Sequence, residues 1–138
     1  MVDRERVSRL LDRTVADLHK LRRYRGSRPG GADEAWLDAV KYVLITAIEE
    51  CTRVAHHLVV SEGWPIADSN AGAIRTLARQ GVIAPATAEP VAAAAGLRNV
   101  LVHQYIDVDD VQVVADLDRL SDLEQFVSEV AAWVERQP

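Results

Sequence analysis

The stretch AWLDAVKYVLITAIEECTRVAHHLVV, Ala35–Val60, decides the fold class of this chain. Its apolar residues recur at steps of three and four, a spacing that gathers them on one face of a helix. Asp33 can cap this helix at its start, and the sequence Gly63, Trp64 and Pro65 ends it. We therefore predict a helix of roughly 27 residues. Its apolar face comprises Trp36, Val40, Val43, Leu44, Ala47, Cys51, Val54, Ala55 and Leu58.

A similar apolar stripe precedes this helix in the chain. It predicts a first helix from about Asp3 to Tyr24, which the run GSRPGG at Gly26–Gly31 breaks because glycine and proline disfavour helix continuation. The residues of this stripe are Val7, Leu10, Leu11, Val15, Leu18 and Leu21. The first two helices are thus joined by a short connection and have apolar faces that need a partner.

Two helices are predicted in the region that follows. A short helix covers Asn70–Arg79. The next helix begins at about Ala88 and carries Pro90 in its first turn, where the missing N–H costs little. We expect it to end near His103 or Gln104. No alternation of apolar and polar residues, the mark of a strand, occurs in this part of the sequence.

One long helix closes the chain in this interpretation. Asp109 can cap it, and it extends to about Arg136. Its inward stripe comprises Val113, Leu117, Leu120, Phe126, Val127, Val130 and Trp133. Four long amphipathic helices and one short helix with short connections predict an all-α, up-and-down helical bundle. We expect residues 1–138 to form a single domain with one core.

Composition indicates the cellular location that we expect for the protein. No run of eighteen or more apolar residues occurs, so we expect no membrane span. The N-terminus is charged and lacks the apolar stretch of a signal peptide. Cys51 is the only cysteine, which excludes an intrachain disulfide and makes a cytoplasmic location the default. Because Cys51 falls on the apolar stripe, we interpret it as a core residue and not as a nucleophile.

Charge is distributed unevenly along the chain. The net charge is −5, yet Asp3–Arg28 contains nine Lys or Arg and four Asp or Glu, a local balance of +5. This basic stretch is either a solvated helix face or a surface for RNA phosphates or an acidic partner. The remainder of the chain has a balance of −10. That acidic remainder argues against binding of nucleic acid over the whole surface of the protein.

The segment LRNVLVHQY, Leu97–Tyr105, concentrates polar chemistry inside an apolar part of the chain. On a helix, Arg98 and His103 lie about 140° apart around the axis and about 7.5 Å along it. One helix therefore does not direct both at one small atom. Either the arginine bends around, or the helix ends near His103, or a second copy in a symmetric dimer supplies the missing partner. A purely structural interpretation also stands, with Arg98 in an ion pair, His103 at a helix end and Tyr105 packed with its hydroxyl at the surface.

Metal and cofactor motifs are absent from the sequence. The Glu-x-x-His spacing of di-iron bundles does not occur around Glu49, Glu50, His56 and His57, and the two adjacent histidines diverge on a helix. No Gly-rich phosphate loop or CxxC pair occurs either. We expect no metal site and no cofactor.

The wider segment LRNVLVHQYIDVD, Leu97–Asp109, resembles the signature of the HepT-like branch of the HEPN superfamily. That signature has an arginine, a polar residue, three mostly apolar residues, a histidine, any residue and a tyrosine, and then a Val-Asp pair. The long second helix and the short third helix ending in ARQGVI also resemble the family. The matching residues are Arg98, Asn99, His103, Tyr105, Val108 and Asp109.

The resemblance implies a homodimeric HEPN-like bundle that places both motifs in one interface cleft. It implies the toxin of a toxin–antitoxin system, a metal-independent endoribonuclease acting on mRNA or tRNA, with Arg98 and His103 as catalytic residues and Asn99 in support. It further implies an MntA-type nucleotidyltransferase antitoxin that neutralises the toxin by AMPylation of Tyr105. The alternative is a non-catalytic HEPN scaffold, or a nucleotide- or RNA-binding partner of a minimal nucleotidyltransferase.

Overall fold

The computed structural model describes residues 2–31, 33–103 and 110–138, and it describes side chains at 2–31, 33–96 and 113–138. Over these ranges the regular structure is entirely helical, with no strand. The helices are α1 (Arg4–Gly26), α2 (Glu34–Ser61), α3 (Asn70–Arg79), α4 (Pro85–His103), α5 (Asp110–Asp116) and α6 (Leu120–Glu135), with a 3-10 turn at Leu117–Arg119 before α6. The all-α helical bundle predicted from the sequence is confirmed. None of the helices within these ranges combines the length and apolar character that crossing a bilayer requires.

The helix starts follow from capping side chains. The Asp3 carboxylate accepts a hydrogen bond of 3.0 Å from the Arg6 N–H at the start of α1, and Asp33 accepts one of 2.9 Å from Trp36 at the start of α2. Such caps satisfy N–H groups that have no partner within the helix. The predicted cap at Asp33 is therefore confirmed, and the predicted bounds of α3 match the structure.

One continuous core holds the helices together. Its buried side chains come from all six helices and from the 3-10 turn, with the helices packed pairwise around them. The largest of these are Leu21, Ile48, Leu58, Ile74, Leu77 and Phe126. Burial of one such side chain stabilises the fold by about 1.5–3 kcal/mol. The mainly aliphatic faces of the helices therefore provide most of the stability of the bundle.

The predicted stripe of α1 is wrong at one position. Val15 is 39% exposed, whereas Thr14, its neighbour, is fully buried. The inward positions of α1 follow steps of three and four through Leu11, Thr14 and Leu18, and Val15 points about 100° away from Thr14. Thr14 tolerates burial because its hydroxyl donates a 2.8 Å hydrogen bond to the Leu10 carbonyl.

The single closing helix expected from the sequence is also wrong. A 3-10 turn at Leu117–Arg119 separates α5 from α6. A 3-10 turn places residues three apart on the same face, which keeps Leu117, Leu120 and Leu123 buried together. The predicted cap of this helix, Asp109, lies outside the described residues. The remaining stripe is confirmed except that Val127 is only partly buried.

Helix α4 begins at Pro85, three residues before the predicted start at Ala88. Proline suits the first helical position because its φ angle is already helical and its missing N–H has no helical partner there. The Ala84 carbonyl accepts hydrogen bonds of 3.0 Å from the N–H groups of Thr87 and Ala88. Pro90 therefore lies in the second turn and not in the first, as the sequence had suggested.

Candidate functional site

The arginine and histidine of the LRNVLVHQY segment lie on one helix. Arg98, Asn99 and His103 belong to α4, and their side chains are outside the described set. Tyr105 lies outside the described residues. In a regular helix the five-residue step from Arg98 to His103 corresponds to about 140° around the axis and about 7.5 Å along it. The helical setting therefore places the two residues on different sides of α4.

Helix α4 is anchored at its start by one carboxylate from α6. Glu129 accepts a 2.7 Å hydrogen bond from the Ala84 N–H and another from the Thr87 hydroxyl. Burial alone would raise the pKa of Glu129, but the hydrogen bonds from Thr87, Ala84 and Gln125 outweigh it and lower that pKa. The ionised carboxylate thus caps the helix that carries Arg98 and His103.

Small side chains let neighbouring helices approach α4 closely. The buried face of α4, over its described side chains, consists of alanines, one threonine and one valine, packed against α2, α3 and α6. On the outer side, Arg75 of α3 forms an exposed ion pair of 3.2 Å with Glu89 of α4. Exposed pairs of this kind contribute little to stability, so burial and the Glu129 cap hold α4. The buried residues are Thr87, Ala88, Val91, Ala92 and Ala95.

A polar cleft of about 470 Å³ lies between the start of α1, the second half of α2 and the start of α3. The sequence did not predict it, because its residues come from three separate stretches of the chain. The only sequence signal was the polar group Arg53, His56 and His57 within a mainly apolar helix. The lining residues are Arg6, Glu49, Thr52, Arg53, His56, His57, Val60 and Asn70.

The two adjacent histidines of this cleft contact different helices, as their divergence on α2 predicts. The Nε2 of His56 lies 2.9 Å from the Asn70 side-chain oxygen. The Nε2 of His57 accepts a 3.3 Å hydrogen bond from the Asp3 N–H. Burial, together with the nearby positive charge of Arg6, lowers the pKa of His57. His57 is therefore neutral at pH 7, with its proton on Nδ1.

A buried carboxyl group lies on the other side of α2, against α1. Burial, followed by the hydrogen bond and negative charge of Asp17, raises the pKa of Glu50 to about 7. One oxygen of Glu50 has no hydrogen-bond partner among the described residues. Burial also raises the pKa of the adjacent Cys51 thiol to about 12, so that thiol stays protonated. The interpretation of Cys51 as a core residue is confirmed.

Clusters that could hold a metal were sought among the described residues. No group of three or more histidine, cysteine, aspartate or glutamate side chains in those ranges is arranged to hold an ion. The polar cleft contains two histidines and one glutamate together with two arginines, whose positive charges disfavour a cation. Its donor set suits an anion better than a metal.

Comparison with known proteins gives one family. The model of the family described as HepT-like, "Ribonuclease HepT-like", matches residues 11–130 of the chain. This span includes the whole Leu97–Tyr105 segment and confirms the resemblance drawn from it. No curated protein matches the chain.

Solved structures show the same fold at low sequence identity. A tri-AMPylated HEPN toxin from Shewanella oneidensis in complex with MNT antitoxin is 23% identical, with 96% of this chain and 99% of that chain covered and a TM-score of 0.86. A toxin–antitoxin structure with AMP-PNP is 22% identical, with 94% and 99% covered and a TM-score of 0.83. YutE from Bacillus subtilis, described as a cytosolic protein of unknown function, is 16% identical, with 97% and 92% covered and a TM-score of 0.82.

Proposed function

The chain belongs to the HepT-like ribonuclease family, and from that premise we propose that it is the toxin of a toxin–antitoxin system and acts as a metal-independent endoribonuclease. The observation that carries this proposal is the family match over residues 11–130, which includes Arg98, His103 and Tyr105 in the order and spacing of the family signature. The helical setting of Arg98 and His103 on α4 supports it.

The proposed reaction uses a nucleophile that RNA itself supplies. The 2′-hydroxyl attacks the adjacent phosphorus, the bond from phosphorus to the 5′-oxygen breaks, and the products are a 2′,3′-cyclic phosphate and a free 5′-hydroxyl. His103 accepts the 2′-proton or donates one to the leaving oxygen. Arg98 offers paired donors to the phosphate as negative charge develops there. Asn99, four residues before His103, supports the site from one turn below.

A homodimer completes this chemistry. The reaction needs a base and an acid at the same time, and Arg98 and His103 of one chain lie on different sides of α4. Two copies of the motif around a two-fold axis supply two histidines and two arginines to one cleft. We therefore infer that the active form is a dimer with the motif at its interface.

We further infer that an MntA-type nucleotidyltransferase neutralises the toxin by AMPylation of Tyr105. Two structures of the same fold are toxin–antitoxin complexes, and one of those toxins is tri-AMPylated. In the proposed step the Tyr105 oxygen attacks the α-phosphorus of ATP and pyrophosphate leaves. The product carries a bulky anion two residues from His103, which blocks the cleft and repels RNA.

Expression without the antitoxin gene tests the toxin assignment against the alternative of a non-catalytic scaffold. We expect growth arrest with the unmutated chain, relief by His103→Ala, and relief by co-expression of an MntA-type antitoxin. His19→Ala is a suitable control, because His19 is an exposed histidine on α1. Growth arrest that persists in the His103→Ala strain would exclude catalysis as its cause and favour the scaffold. Cytoplasmic location remains a prediction from the sequence.

A further inference from the structure

The α1–α2–α3 cleft, lined by Arg6, Glu49, Thr52, Arg53, His56, His57, Val60 and Asn70, is separate in sequence from the Leu97–Tyr105 segment. Its volume of about 470 Å³ falls in the range of roughly 300–1,000 Å³ that is usual for small-ligand sites. Seven of its eight lining residues are polar or charged. The cleft is therefore large enough for one nucleotide unit and has the chemistry of a site for a polar ligand.

The two arginines of this cleft have no carboxylate in an ion pair with them among the described residues. Arg6 and Arg53 are exposed, and neither forms an ion pair with a residue of the described ranges. Ion pairs with carboxylates occupy Arg9, Arg22, Arg25 and Arg75. Two arginines from two helices thus face one cleft with their charge uncompensated by such a pair, which is the arrangement that binds a phosphate group.

The histidines add hydrogen-bonding groups to the same cleft. Each Nε2 is already engaged, by Asn70 in the case of His56 and by the Asp3 N–H in the case of His57. No bond from either Nδ1 to a described residue occurs. The Nδ1–H of neutral His57 is a donor, and the contact with Asn70 holds the ring of His56 in place. The imidazoles are thus positioned to bond a ligand without losing their contacts to α1 and α3.

The carboxylate of Glu49 narrows the class of ligand. It disfavours a small inorganic anion, but a carboxylate accepts hydrogen bonds from hydroxyl groups. Glu49 also takes part in another interaction, and its two oxygens provide about four acceptor positions in all. A ligand that presents a phosphodiester to the arginines and a ribose hydroxyl to Glu49 satisfies both kinds of group.

We propose that the α1–α2–α3 cleft binds one phosphodiester unit of the RNA substrate at a distance along the strand from the bond that is cut, with Arg6 and Arg53 contacting the phosphate and Glu49 contacting a ribose hydroxyl. The basic stretch Asp3–Arg28, which includes Arg6, favours the approach of RNA to this side of the bundle. The choice of RNA as ligand rests on the proposed function. The cleft extends the substrate contact beyond α4 and contributes affinity without taking part in the reaction.

RNA binding to the full-length His103→Ala protein tests the proposal without interference from cleavage. A fluorescent single-stranded RNA of twelve nucleotides is titrated at several salt concentrations, and the Arg6→Gln/Arg53→Gln variant is compared with its parent. We expect binding at least tenfold weaker, because charge-assisted hydrogen bonds are lost. The slope of log affinity against log salt should fall by about 0.7, the value for one phosphate on a single strand.

The variant Arg9→Gln/Arg75→Gln is the matched control. It removes the same number of positive charges, and both arginines are exposed and lie outside the cleft lining. We expect less than a twofold loss of affinity and an unchanged salt slope. Arg53→Gln alone, with a smaller effect in the same direction, replaces the double variant if that protein does not fold as judged by circular dichroism.

The outcomes separate this inference from the proposed function. Equal binding by the cleft variant and the control, or no RNA binding by the parent, overturns the inference about the cleft. Lost binding in the cleft variant, together with an unmutated protein that cuts no RNA, supports RNA binding in the cleft and contradicts the proposed ribonuclease activity. Binding of ATP that depends on Arg6 and Arg53 while RNA binding does not would reassign the cleft to free nucleotides.

Discussion

The Nε2 of His56 and the side-chain oxygen of Asn70 lie 2.9 Å apart and join the last third of α2 to the first residue of α3. This contact fixes one wall of the α1–α2–α3 cleft. The other wall is fixed by His57, the next residue, through the backbone of Asp3. Two neighbouring side chains on one helix thus set the positions of two other helices around a polar cleft.

Asn70→Ala tests the structural part of this contact. We expect a loss of about 1 kcal/mol in the free energy of unfolding, the usual contribution of one hydrogen bond. Chemical denaturation measures this loss. Asp68→Ala provides the control, because Asp68 is an exposed acidic residue just before the Ser69 cap. Equal stability of the two variants would show that the contact between His56 and Asn70 does not stabilise α3.

Glu50 predicts a dependence of stability on pH. Its pKa is about 7 in the folded protein against 4.5 in the unfolded chain, so the folded state holds its proton more tightly between these values. The contribution of Glu50 to the free energy of unfolding is then fully present below pH 4.5. It is lost as the pH rises through 7 and remains absent at higher pH. Glu50→Gln removes this loss and should stabilise the protein at pH 8 by on the order of 1–3 kcal/mol.

Unfolding of wild type and Glu50→Gln between pH 4.5 and pH 8 measures the effect. The exposed Glu135 provides the control, since Glu135→Gln should leave the pH profile of the wild type unchanged. A stability gain of Glu50→Gln over wild type that does not increase between pH 4.5 and pH 8 contradicts the assignment of a raised pKa to Glu50.

The lowered pKa of Glu129 predicts that its contribution to stability has the opposite dependence on pH. Its folded-state pKa lies below 4.5, so its stabilisation is present above that pH and is lost as the pH falls through the folded value. Glu129→Ala should cost about 1–2 kcal/mol at pH 7, because the N–H of Ala84 and the hydroxyl of Thr87 lose their acceptor. The difference from wild type should shrink as the pH falls below 4.5.

The same substitution has a functional consequence, because Glu129 caps the helix that carries Arg98 and His103. We expect RNA cleavage by Glu129→Ala to fall at temperatures where the protein is still folded, since small displacements of catalytic groups reduce rates strongly. Glu135→Ala, on the same helix and exposed, should leave cleavage unchanged. Full activity of Glu129→Ala would show that the start of α4 does not control the motif.

Tyr105→Phe tests the proposed modification. Intact mass after co-expression with an MntA-type nucleotidyltransferase should show AMP additions on the unmutated chain and none on Tyr105→Phe, which lacks the attacking hydroxyl. Tyr42→Phe is the control, because Tyr42 is a 70% exposed tyrosine on α2 outside the motif. Additions that persist on Tyr105→Phe and disappear from Tyr42→Phe would move the modified residue to α2.

The sequence predicted the helices because apolar spacing and caps are local properties. The bounds Asn70–Arg79 and the cap at Asp33 needed only neighbouring residues. Val15 was misassigned because a stripe read with both three- and four-residue steps is wider than the face that α1 buries. The break at Leu117–Arg119 was missed because leucines three apart fit both an α-helix and a 3-10 turn.

The candidate sites differ in the same respect, since one depends on local sequence and the other on the packing of distant helices. The Arg98, His103 and Tyr105 motif is compact in sequence, so the resemblance of the segment Leu97–Asp109 to a family signature could be found without the structure. The α1–α2–α3 cleft was missed because Arg6, His56 and Asn70 meet only after three helices have packed. Considered within α2 alone, His56 and His57 simply diverge, and the partners that give them a role lie on α1 and α3.

Cleavage of RNA in EDTA by protein made without its partner tests the central claim most directly. Intact mass first excludes AMP additions, and the unmutated chain is then compared with His103→Ala, Arg98→Ala and the exposed-histidine control His19→Ala. The account predicts cutting by the unmutated chain and by His19→Ala, 2′,3′-cyclic phosphate ends, and a loss of at least about a hundredfold in His103→Ala. Equal cutting by His103→Ala, or no cutting of a broad RNA panel by the unmodified chain, would contradict it.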